Sequence, residues 1–257
     1  MYDNYLKYIE SFVDDADISR WQFKSNPNYC VILEHVDVNT GYQYLNEIQK
    51  MFNFIYNEHK EYLIEICKTN DLYGNTNKHD FTNFTICSPS NLRYILHSML
   101  ILKYMQDLML NNIDIIEIGG GYGGLCFFIY KIAPLFNITI NTYSIFDLKL
   151  PLKLQKKYLD SLNVFNVNYV ELDNIKNLKK NSFLISNYAF SEISLDLQQK
   201  YTDMVLNNYV SHGFLTWNFI NMYEFISNKK ITVEDEYPLT DKNNKYVRFR
   251  PLTLNNC

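Results

Sequence analysis

The segment Asp114-Ile115-Ile116-Glu117-Ile118-Gly119-Gly120-Gly121-Tyr122-Gly123-Gly124 decides the fold. A short apolar run ends in five glycines among six residues, although the whole chain has only eight. The apolar spacing of the residues that follow, 125–135, predicts a helix. A strand, a glycine turn and a helix bring exposed backbone next to a helix N-terminus, where a ligand can approach closely. The number of glycines argues against an ordinary tight connection, so the sequence predicts a ligand site here.

The rest of the chain after residue 111 alternates short apolar runs with helical patterns, which is typical of βα units around a parallel sheet. Strands are predicted at 114–118, 138–146, 167–172, 183–186 and 214–219, with a closing hairpin at 231–237 and 246–249. Helices are predicted at 123–135, 152–162 and 195–210, the last of them ended by Gly213. We therefore expect an α/β fold with a doubly wound, mostly parallel sheet of about seven strands and a C-terminal antiparallel hairpin.

The chain before residue 111 is predicted to be mainly helical. Apolar side chains recur with helical spacing from Tyr44 to Ile66, which predicts one long amphipathic helix. A second helix should begin at Ser88-Pro89 and reach about Leu110, with Ser88 as its N-cap. Residues 73–90 have the composition of an irregular connection. This predicts a helical extension over 1–110, covering the cofactor cleft or forming a dimer surface, and an α/β domain over 111–257.

Composition limits the partners and the compartment. The chain has 257 residues, with 24 basic and 28 acidic ones, and its net charge of -4 gives no broad cationic surface for nucleic acid. Five scattered cysteines, of which the last is Cys257, form no C-x-x-C pair and indicate reduced thiols. No signal peptide and no apolar run of membrane-spanning length are found. We expect a soluble cytoplasmic protein that binds neither nucleic acid nor membrane, and no metal site.

Two cofactor classes fit the glycine segment. Gly119, Gly121 and Gly124 satisfy G-x-G-x-x-G, the pattern of nicotinamide and flavin dinucleotide sites. Three features favour S-adenosylmethionine instead. Glu117 stands two residues before the first glycine, the segment follows a long helical region, and acids follow two later strands rather than one.

Those acids are Asp147 and Asp173. Asp147 closes a predicted strand 23 residues after Gly124, where a carboxylate could accept both ribose hydroxyls; the alternative is a helix N-cap. Asp173 follows the third strand and could accept from the adenine amino group, with Asn174 contributing backbone or amide contacts. Its alternative is an exposed Asp-Asn turn.

The fourth strand is followed by Asn187-Tyr188-Ala189-Phe190-Ser191-Glu192. In a doubly wound sheet the carboxyl ends of the strands face the ligand, so these groups should lie near the transferred methyl. Glu192 is the candidate base for an attacking hydroxyl, with Asn187 and Tyr188 positioning the acceptor. The alternative for Glu192 is support of the next helix through its dipole.

The glycine segment, the stretch Tyr143-Ser144-Ile145-Phe146-Asp147-Leu148 and the stretch Asn187–Glu192 together resemble the sugar O-methyltransferases. The resemblance extends to Ser88-Pro89-Ser90-Asn91-Leu92-Arg93-Tyr94 and covers roughly residues 70 to 220. It implies a Rossmann-like, S-adenosylmethionine-dependent enzyme of surface-polysaccharide biosynthesis that methylates a hydroxyl of a nucleotide sugar or a glycan. The sugar acceptor rests on this resemblance alone.

The predicted site residues fall into three groups. The cofactor should be bound by Glu117, Gly119, Gly120, Gly121, Gly123, Asp147, Leu148, Asp173, Asn174 and Asn187. Catalysis is assigned to Glu192, Tyr188 and Asn187, and acceptor binding to Arg93, Tyr94, Tyr122 and Ser191. His97, four residues after Arg93, lies on the same helix face. The alternative to acceptor binding by this face is that it is merely exposed to solvent. An NAD(P)-dependent sugar oxidoreductase or epimerase and a non-catalytic binding module remain as rival functions.

Overall fold

The computed structural model describes residues 2–252, so Cys257 lies outside the described residues. The chain forms two compact units that interleave along the sequence. Unit 1 comprises 2–111, 121–139 and 148–165, and unit 2 comprises 112–120, 140–147 and 166–252. The helices at 124–132 and 149–161 group with the N-terminal helices. Independent domains over 1–110 and 111–257 remain a prediction.

Unit 1 is mainly helical. Its helices are α1 (Tyr2–Phe12), α2 (Pro27–Cys30), α3 (Val38–Met51), α4 (Asn53–Asn70), α5 (Pro89–Asp107), α6 (Gly124–Ile132) and α7 (Lys149–Ser161). Short 3-10 helices cover Ile18–Arg20, Phe23–Ser25 and Ala133–Phe136. Strands β1 (His79–Asp80) and β2 (Ile86–Cys87) form a small antiparallel pair inside the connection that was predicted to be irregular.

Two expectations for unit 1 have different outcomes. The single helix predicted from Tyr44 to Ile66 is wrong, because Phe52 leaves the helical conformation (φ -122°, ψ 36°) between α3 and α4. The apolar periodicity continues across this residue, so the pattern does not reveal the break. The start of α5 is confirmed: Pro89 is its first residue, and the Ser88 hydroxyl accepts a 3.2 Å hydrogen bond from the Ser90 amide.

Unit 2 contains a seven-stranded sheet in the order β5-β4-β3-β6-β7-β9-β8. Its strands are β3 (Asn112–Ile118), β4 (Thr139–Phe146), β5 (Val167–Val170), β6 (Ser182–Asn187), β7 (Val210–Trp217), β8 (Lys229–Asp235) and β9 (Lys245–Pro251). The pairs β4·β5, β3·β6 and β6·β7 are parallel, whereas β9 pairs antiparallel with both β7 and β8. The prediction of a Rossmann-like α/β fold with a mostly parallel sheet and a closing hairpin is confirmed.

The remaining elements of unit 2 are short. They are the 3-10 turn Leu172–Asn174, α8 (Ala189–Glu192), α9 (Leu195–Tyr201), the π-helical turn Thr202–Leu206 and α10 (Asn207–Tyr209). Gly213 does not end a helix as predicted; it lies within β7, where a Cβ would stand 2.4 Å from the Phe249 ring. The core includes Trp217 and Phe225, whose rings stack 5.4 Å apart, together with apolar side chains of β3, β6 and β9.

Candidate functional site

The glycine segment follows β3 and bends through three left-handed residues. Gly119, Gly121 and Gly123 have φ values of 76°, 59° and 96°, a region that side chains disfavour. The Gly119 amide donates a 2.9 Å hydrogen bond to the Phe146 carbonyl at the end of β4. A Cβ on Gly119 would stand only 2.1 Å from the Cβ of Ala189. Conformation and contact therefore both require glycine at position 119.

The second half of the glycine segment belongs to unit 1 and is supported by α7. The Gln155 amide donates a 3.0 Å hydrogen bond to the Gly121 carbonyl. A Cβ on Gly123 would stand 2.9 Å from Cγ of Leu159. Gly120, the last residue of unit 2 before the crossing, is buried. The sequence predicted the turn, and the structure shows which neighbours fix each half of it.

Glu117 is buried near the end of β3, with 1% of its surface exposed. Its Oε2 accepts a 2.9 Å hydrogen bond from the Tyr143 hydroxyl of β4. Burial raises the pKa of Glu117 to about 8; the Tyr143 bond opposes this rise and the charge of Asp147 adds to it. A carboxyl with so raised a pKa is largely protonated at neutral pH, and a positively charged group placed beside it would lower that pKa.

The two acids that follow strands have different surroundings. Asp147 is half-buried directly after β4, and its amide donates a 3.3 Å hydrogen bond to the Val170 carbonyl. It is not the N-cap of α7, because that position is taken by Leu148, which is exposed and in extended conformation. Asp173 lies in the turn after β5 as predicted, but it is exposed and forms an ion pair with Lys200. Asn174, also exposed, closes the same turn.

The end of β6 carries the predicted catalytic segment. Asn187 is its last residue, and Oδ1 of Asn187 accepts a 3.0 Å hydrogen bond from the Thr216 hydroxyl of β7. Tyr188 follows with φ 66° and ψ -36°, and its hydroxyl donates to the buried Glu236. The Tyr188 hydroxyl also lies 3.1 Å from Oγ1 of Thr240. Its position in the sequence was predicted, but its engagement with Glu236 was not.

Glu192 is the last residue of α8 and is bound by Asn218, the residue after β7. Nδ2 of Asn218 donates a 3.0 Å hydrogen bond to Oε1 of Glu192, and the Asn218 amide donates a 3.1 Å bond to the Ser191 hydroxyl. Partial removal of water raises the pKa of Glu192 above its ordinary value, and the Asn218 bond lowers it. The next helix, α9, has Ser194 as its N-cap and Asp196 in its first turn, so α9 does not depend on Glu192.

Arg93, Tyr94 and His97 of α5 are buried in unit 1, so a solvated helix face is wrong. The Arg93 guanidinium donates a 2.9 Å hydrogen bond to the Leu33 carbonyl and lies 5.6 Å from the centre of the Tyr94 ring. Burial, together with the charge of Arg93, lowers the pKa of His97 to about 3, which keeps its imidazole neutral. The side chain of Leu33 in turn contacts Gly121, with 3.3 Å to the place of a Cβ.

Tyr122 is a core residue of unit 1, with 0% of its surface exposed. Asn70 Nδ2 donates a 3.1 Å hydrogen bond to its hydroxyl, and the Lys24 ammonium lies 4.4 Å from the ring centre. Lys24, itself buried, also donates to the Asn70 carbonyl at 2.5 Å and to the Tyr158 hydroxyl at 3.0 Å. The side chain of Tyr122 thus packs inside unit 1, and its contact with the acceptor remains a prediction.

Several residues of these networks were missed from the sequence. Asn218 and Glu236 follow the ends of β7 and β8, so the rule that functional groups follow strands could have found them. Tyr143 lies within the buried run of β4 and carried no such signal. Lys24 contacts Tyr158 across 134 positions of sequence, a relation that no local pattern indicates.

Some site types are absent from the described part of the chain. Among residues 2–252, no group of three or more His, Cys, Asp and Glu side chains could hold a metal ion. No described helix is both long enough and apolar enough to cross a membrane. Within residues 2–252, Cys30, Cys67, Cys87 and Cys126 form no disulfide bond.

Comparisons with known proteins give limited matches. No family model matches the chain. Pentatricopeptide repeat-containing protein 1 of the Plasmodium falciparum apicoplast is 24% identical over 260 residues, which cover 93% of this chain. The match spans 40% of that protein's length, less than two thirds. The seven-stranded sheet is not the architecture of a helical repeat protein.

Among solved structures, a protein from Methanococcus maripaludis described as an S-adenosyl-L-methionine-dependent methyltransferase has a TM-score of 0.46. It is 11% identical, over 78% of this chain and 95% of that one. The mitomycin 7-O-methyltransferase MmcR has a TM-score of 0.41 and 11% identity, over 64% and 57% of the two chains. PKMT2 of Rickettsia typhi in complex with AdoHcy has a TM-score of 0.34 and 18% identity, over 42% and 21%. The fold assignment rests on the strand order rather than on these scores.

Proposed function

We propose that the protein is an S-adenosylmethionine-dependent O-methyltransferase that methylates a sugar hydroxyl. The observation that carries this proposal is the arrangement at one edge of the sheet in unit 2. The glycine turn, Asp147 and Asn187 follow the carboxyl ends of β3, β4 and β6, which are neighbours in the order β4-β3-β6. Ligands of open α/β sheets bind outside the carboxyl ends of the strands, where the strand order reverses.

The strand order argues against the rival dinucleotide-dependent enzyme. A dinucleotide fold consists of two βαβαβ halves in the order 3-2-1-4-5-6. Here the sheet begins in the same way, but the last strand, β9, is inserted antiparallel between β7 and β8. The G-x-G-x-x-G spacing therefore stands in a sheet that departs from the dinucleotide topology at its C-terminal side.

The residues of unit 2 fit S-adenosylmethionine. Gly119 packs against Ala189 and turns the backbone beside Glu117, whose buried carboxyl could pair with a positive group at the amino-acid end of the cofactor. Asp147 is the proposed acceptor for the ribose hydroxyls. Asp173 and Asn174 are the proposed contacts of the adenine. The ion pair between Asp173 and Lys200 must open for this contact. Gly120 and Asn187 are the further proposed contacts in unit 2, while Gly121, Gly123 and Leu148 of unit 1 remain predictions from the sequence.

The cofactor would supply a methyl group on a sulfonium centre, which is open to attack by a hydroxyl oxygen. Glu192 is the proposed base that takes the hydroxyl proton, and Asn218 holds its carboxylate in one orientation. Asn187, held by Thr216, would position the acceptor at the same strand end. The sugar acceptor itself, bound with the help of Arg93, Tyr94 and Ser191, is proposed from the resemblance of 88–94 and 187–192 to the sugar O-methyltransferases. A homodimer and a cytoplasmic location remain expectations.

The first experiment is calorimetric titration with S-adenosylhomocysteine, NAD+ and NADP+. We expect saturable binding of S-adenosylhomocysteine only. Asp147→Asn should weaken it by about tenfold, the effect of losing one hydrogen bond to a charged group. Asp203→Asn, an exposed change in unit 2, is the matched control and should leave affinity unchanged. Binding of either dinucleotide without S-adenosylhomocysteine would overturn the proposal.

The second experiment identifies the acceptor. Purified protein is incubated with S-adenosylmethionine and a panel of nucleotide sugars and oligosaccharides, and products are detected by mass spectrometry. A mass gain of one methyl group on a sugar supports the proposed reaction. Normal cofactor binding with no methylated product across the panel favours the non-catalytic binding module.

A further inference from the structure

Tyr188 has a backbone conformation that its residue type disfavours. Eleven described non-glycine residues have positive φ, and nine of them are asparagines, which tolerate this region; the other two are Met109 and Tyr188. Tyr188 has φ 66° and directly follows β6, between Asn187 and α8. A bulky residue persists in such a conformation only where the surrounding structure holds it, and such residues concentrate at functional sites.

Both the main chain and the side chain of Tyr188 are held. Its amide donates a 2.7 Å hydrogen bond to the Thr216 carbonyl of β7. Its carbonyl accepts from Ser191 twice, at 3.1 Å from the amide and at 2.6 Å from the hydroxyl. Its hydroxyl donates to Glu236 and lies 3.1 Å from the Thr240 hydroxyl. The backbone bonds join neighbouring elements, whereas the hydroxyl bonds reach a loop 48 residues away.

Glu236 is the first residue of that loop, which connects β8 to β9. It is 1% exposed and accepts from the Thr240 hydroxyl at 2.9 Å and from Asn244 Nδ2 at 2.8 Å, in addition to Tyr188. The Thr240 amide also donates to Glu236, at 3.4 Å, so four donors converge on one side chain. A carboxylate only accepts hydrogen bonds and so suits these donors, whereas a glutamine amide would turn a donor toward one of them.

We propose that Glu236 is a positioning residue for methyl transfer: it holds Tyr188 in its left-handed conformation and so fixes Asn187 and Glu192 on either side. This inference rests on the proposed function for its catalytic meaning. It also changes the role predicted for Tyr188: its hydroxyl binds Glu236 and supports the segment, rather than positioning the acceptor.

The test compares Tyr188→Phe and Glu236→Gln with Glu234→Gln, the same chemical change on an exposed residue of β8. Hydrogen exchange is followed by mass spectrometry in peptides that span 187–192. Loss of one hydrogen bond to a charged group should speed exchange there by about tenfold in the first two variants. The Glu234 variant should exchange as the wild type does. Wild-type exchange in Tyr188→Phe would overturn the proposal.

The double variant Tyr188→Phe/Glu236→Gln separates a shared role from two independent ones. If Glu236 acts through Tyr188, exchange of 187–192 in the double variant should equal that of Glu236→Gln alone; a multiplied effect would overturn the inference. If Glu236→Gln fails to fold, Thr240→Val replaces it, because it removes a hydroxyl that contacts both residues.

The second measurement is of catalytic activity and cofactor affinity. With an acceptor from the panel, kcat should fall by about tenfold in Tyr188→Phe, while the Kd for S-adenosylhomocysteine stays within about twofold. Unchanged kcat would limit Glu236 to a structural role in its loop. If the wild type binds no S-adenosylhomocysteine, the proposed function fails, whereas the exchange rates still decide whether Glu236 holds Tyr188.

Discussion

The Tyr143 hydroxyl on β4 donates a 2.9 Å hydrogen bond to the buried carboxyl of Glu117 on β3. The pKa of Glu117 nevertheless rises to about 8 from an ordinary value of 4.5, because burial outweighs this bond. Between these two values the folded protein binds a proton that the unfolded chain releases. The sign of the linkage follows: Glu117 favours folding at low pH, and this contribution is lost as the pH rises through about 8.

We therefore expect the contribution of Glu117 to the free energy of unfolding to fall with rising pH in this window, by at most about 1.4 kcal/mol per pH unit. Urea unfolding of the wild type and Glu117→Gln at several pH values between 5 and 8 measures it, since the variant lacks this component. In Glu171→Gln, a change at an exposed residue, the free energy of unfolding should vary with pH as it does in the wild type. Equal slopes for the wild type and Glu117→Gln would contradict the prediction.

Gly119→Ala should lower the free energy of unfolding by about 2–4 kcal/mol, because it combines a disfavoured φ with an overpacked contact. The added Cβ would stand 2.1 Å from the Cβ of Ala189. Ala189→Gly removes that clash but not the φ penalty, so the double variant should be partly restored relative to Gly119→Ala. Urea unfolding gives the stability, and titration with S-adenosylhomocysteine gives the binding. A fully stable Gly119→Ala would show that the turn relaxes.

Glu192→Gln should lower kcat by about 10²–10⁴-fold if Glu192 is the base, with cofactor affinity unchanged. The pKa of Glu192 lies above its ordinary value, so activity should rise with pH as the carboxyl ionises. Asn218→Ala removes the bond that lowers this pKa and should move the rise to higher pH. Steady-state rates across pH check both statements, with Asp196→Asn in α9 as the control. Near wild-type turnover in Glu192→Gln would assign proton removal elsewhere.

Lys24→Met should lower the free energy of unfolding by about 2–4 kcal/mol, because it leaves buried hydrogen-bond partners unsatisfied. Burial lowers the pKa of Lys24 to about 8 from 10.5, so the folded protein binds fewer protons than the unfolded chain between these values. The stability contribution of this group should thus rise with pH from 8 to 10.5, and the variant should lack that rise. Urea unfolding compares it with Lys50→Met, whose side chain is 76% exposed. A loss no larger than that of the control would contradict a structural role.

Local patterns were sufficient for most of the sheet. Every predicted strand exists, because a short apolar run flanked by turn residues is a local property of the sequence. The Ser88 cap is equally local. The break between α3 and α4 at Phe52 was missed because the apolar spacing continues across it. The role of Gly213 was misjudged because glycine can end a helix, but it can also leave room beside a strand for an aromatic ring, here that of Phe249.

The candidate site was predicted only as positions along the chain. Glu117 lies in β3 and Asp147 directly after β4, as expected, whereas Glu192 ends α8. Tyr143, the partner of Glu117, became evident only from the folded sheet. Tyr188 illustrates the limit: the sequence marks its place after β6, whereas its left-handed backbone depends on a carboxylate 48 residues later. Contacts between distant segments are set by the whole fold and leave no trace in local periodicity.

The interleaving of the two units has a consequence for synthesis. The chain enters unit 2 at residue 112 and returns to unit 1 for 121–139 and 148–165. A ribosome that has made only the first 111 residues has therefore not supplied α6 and α7, which complete the helical unit. We expect a cut at residue 111 to separate α6 and α7 from the other helices of unit 1, so that neither fragment would hold a whole unit. Fragment complementation, not deletion, is the suitable way to divide this protein.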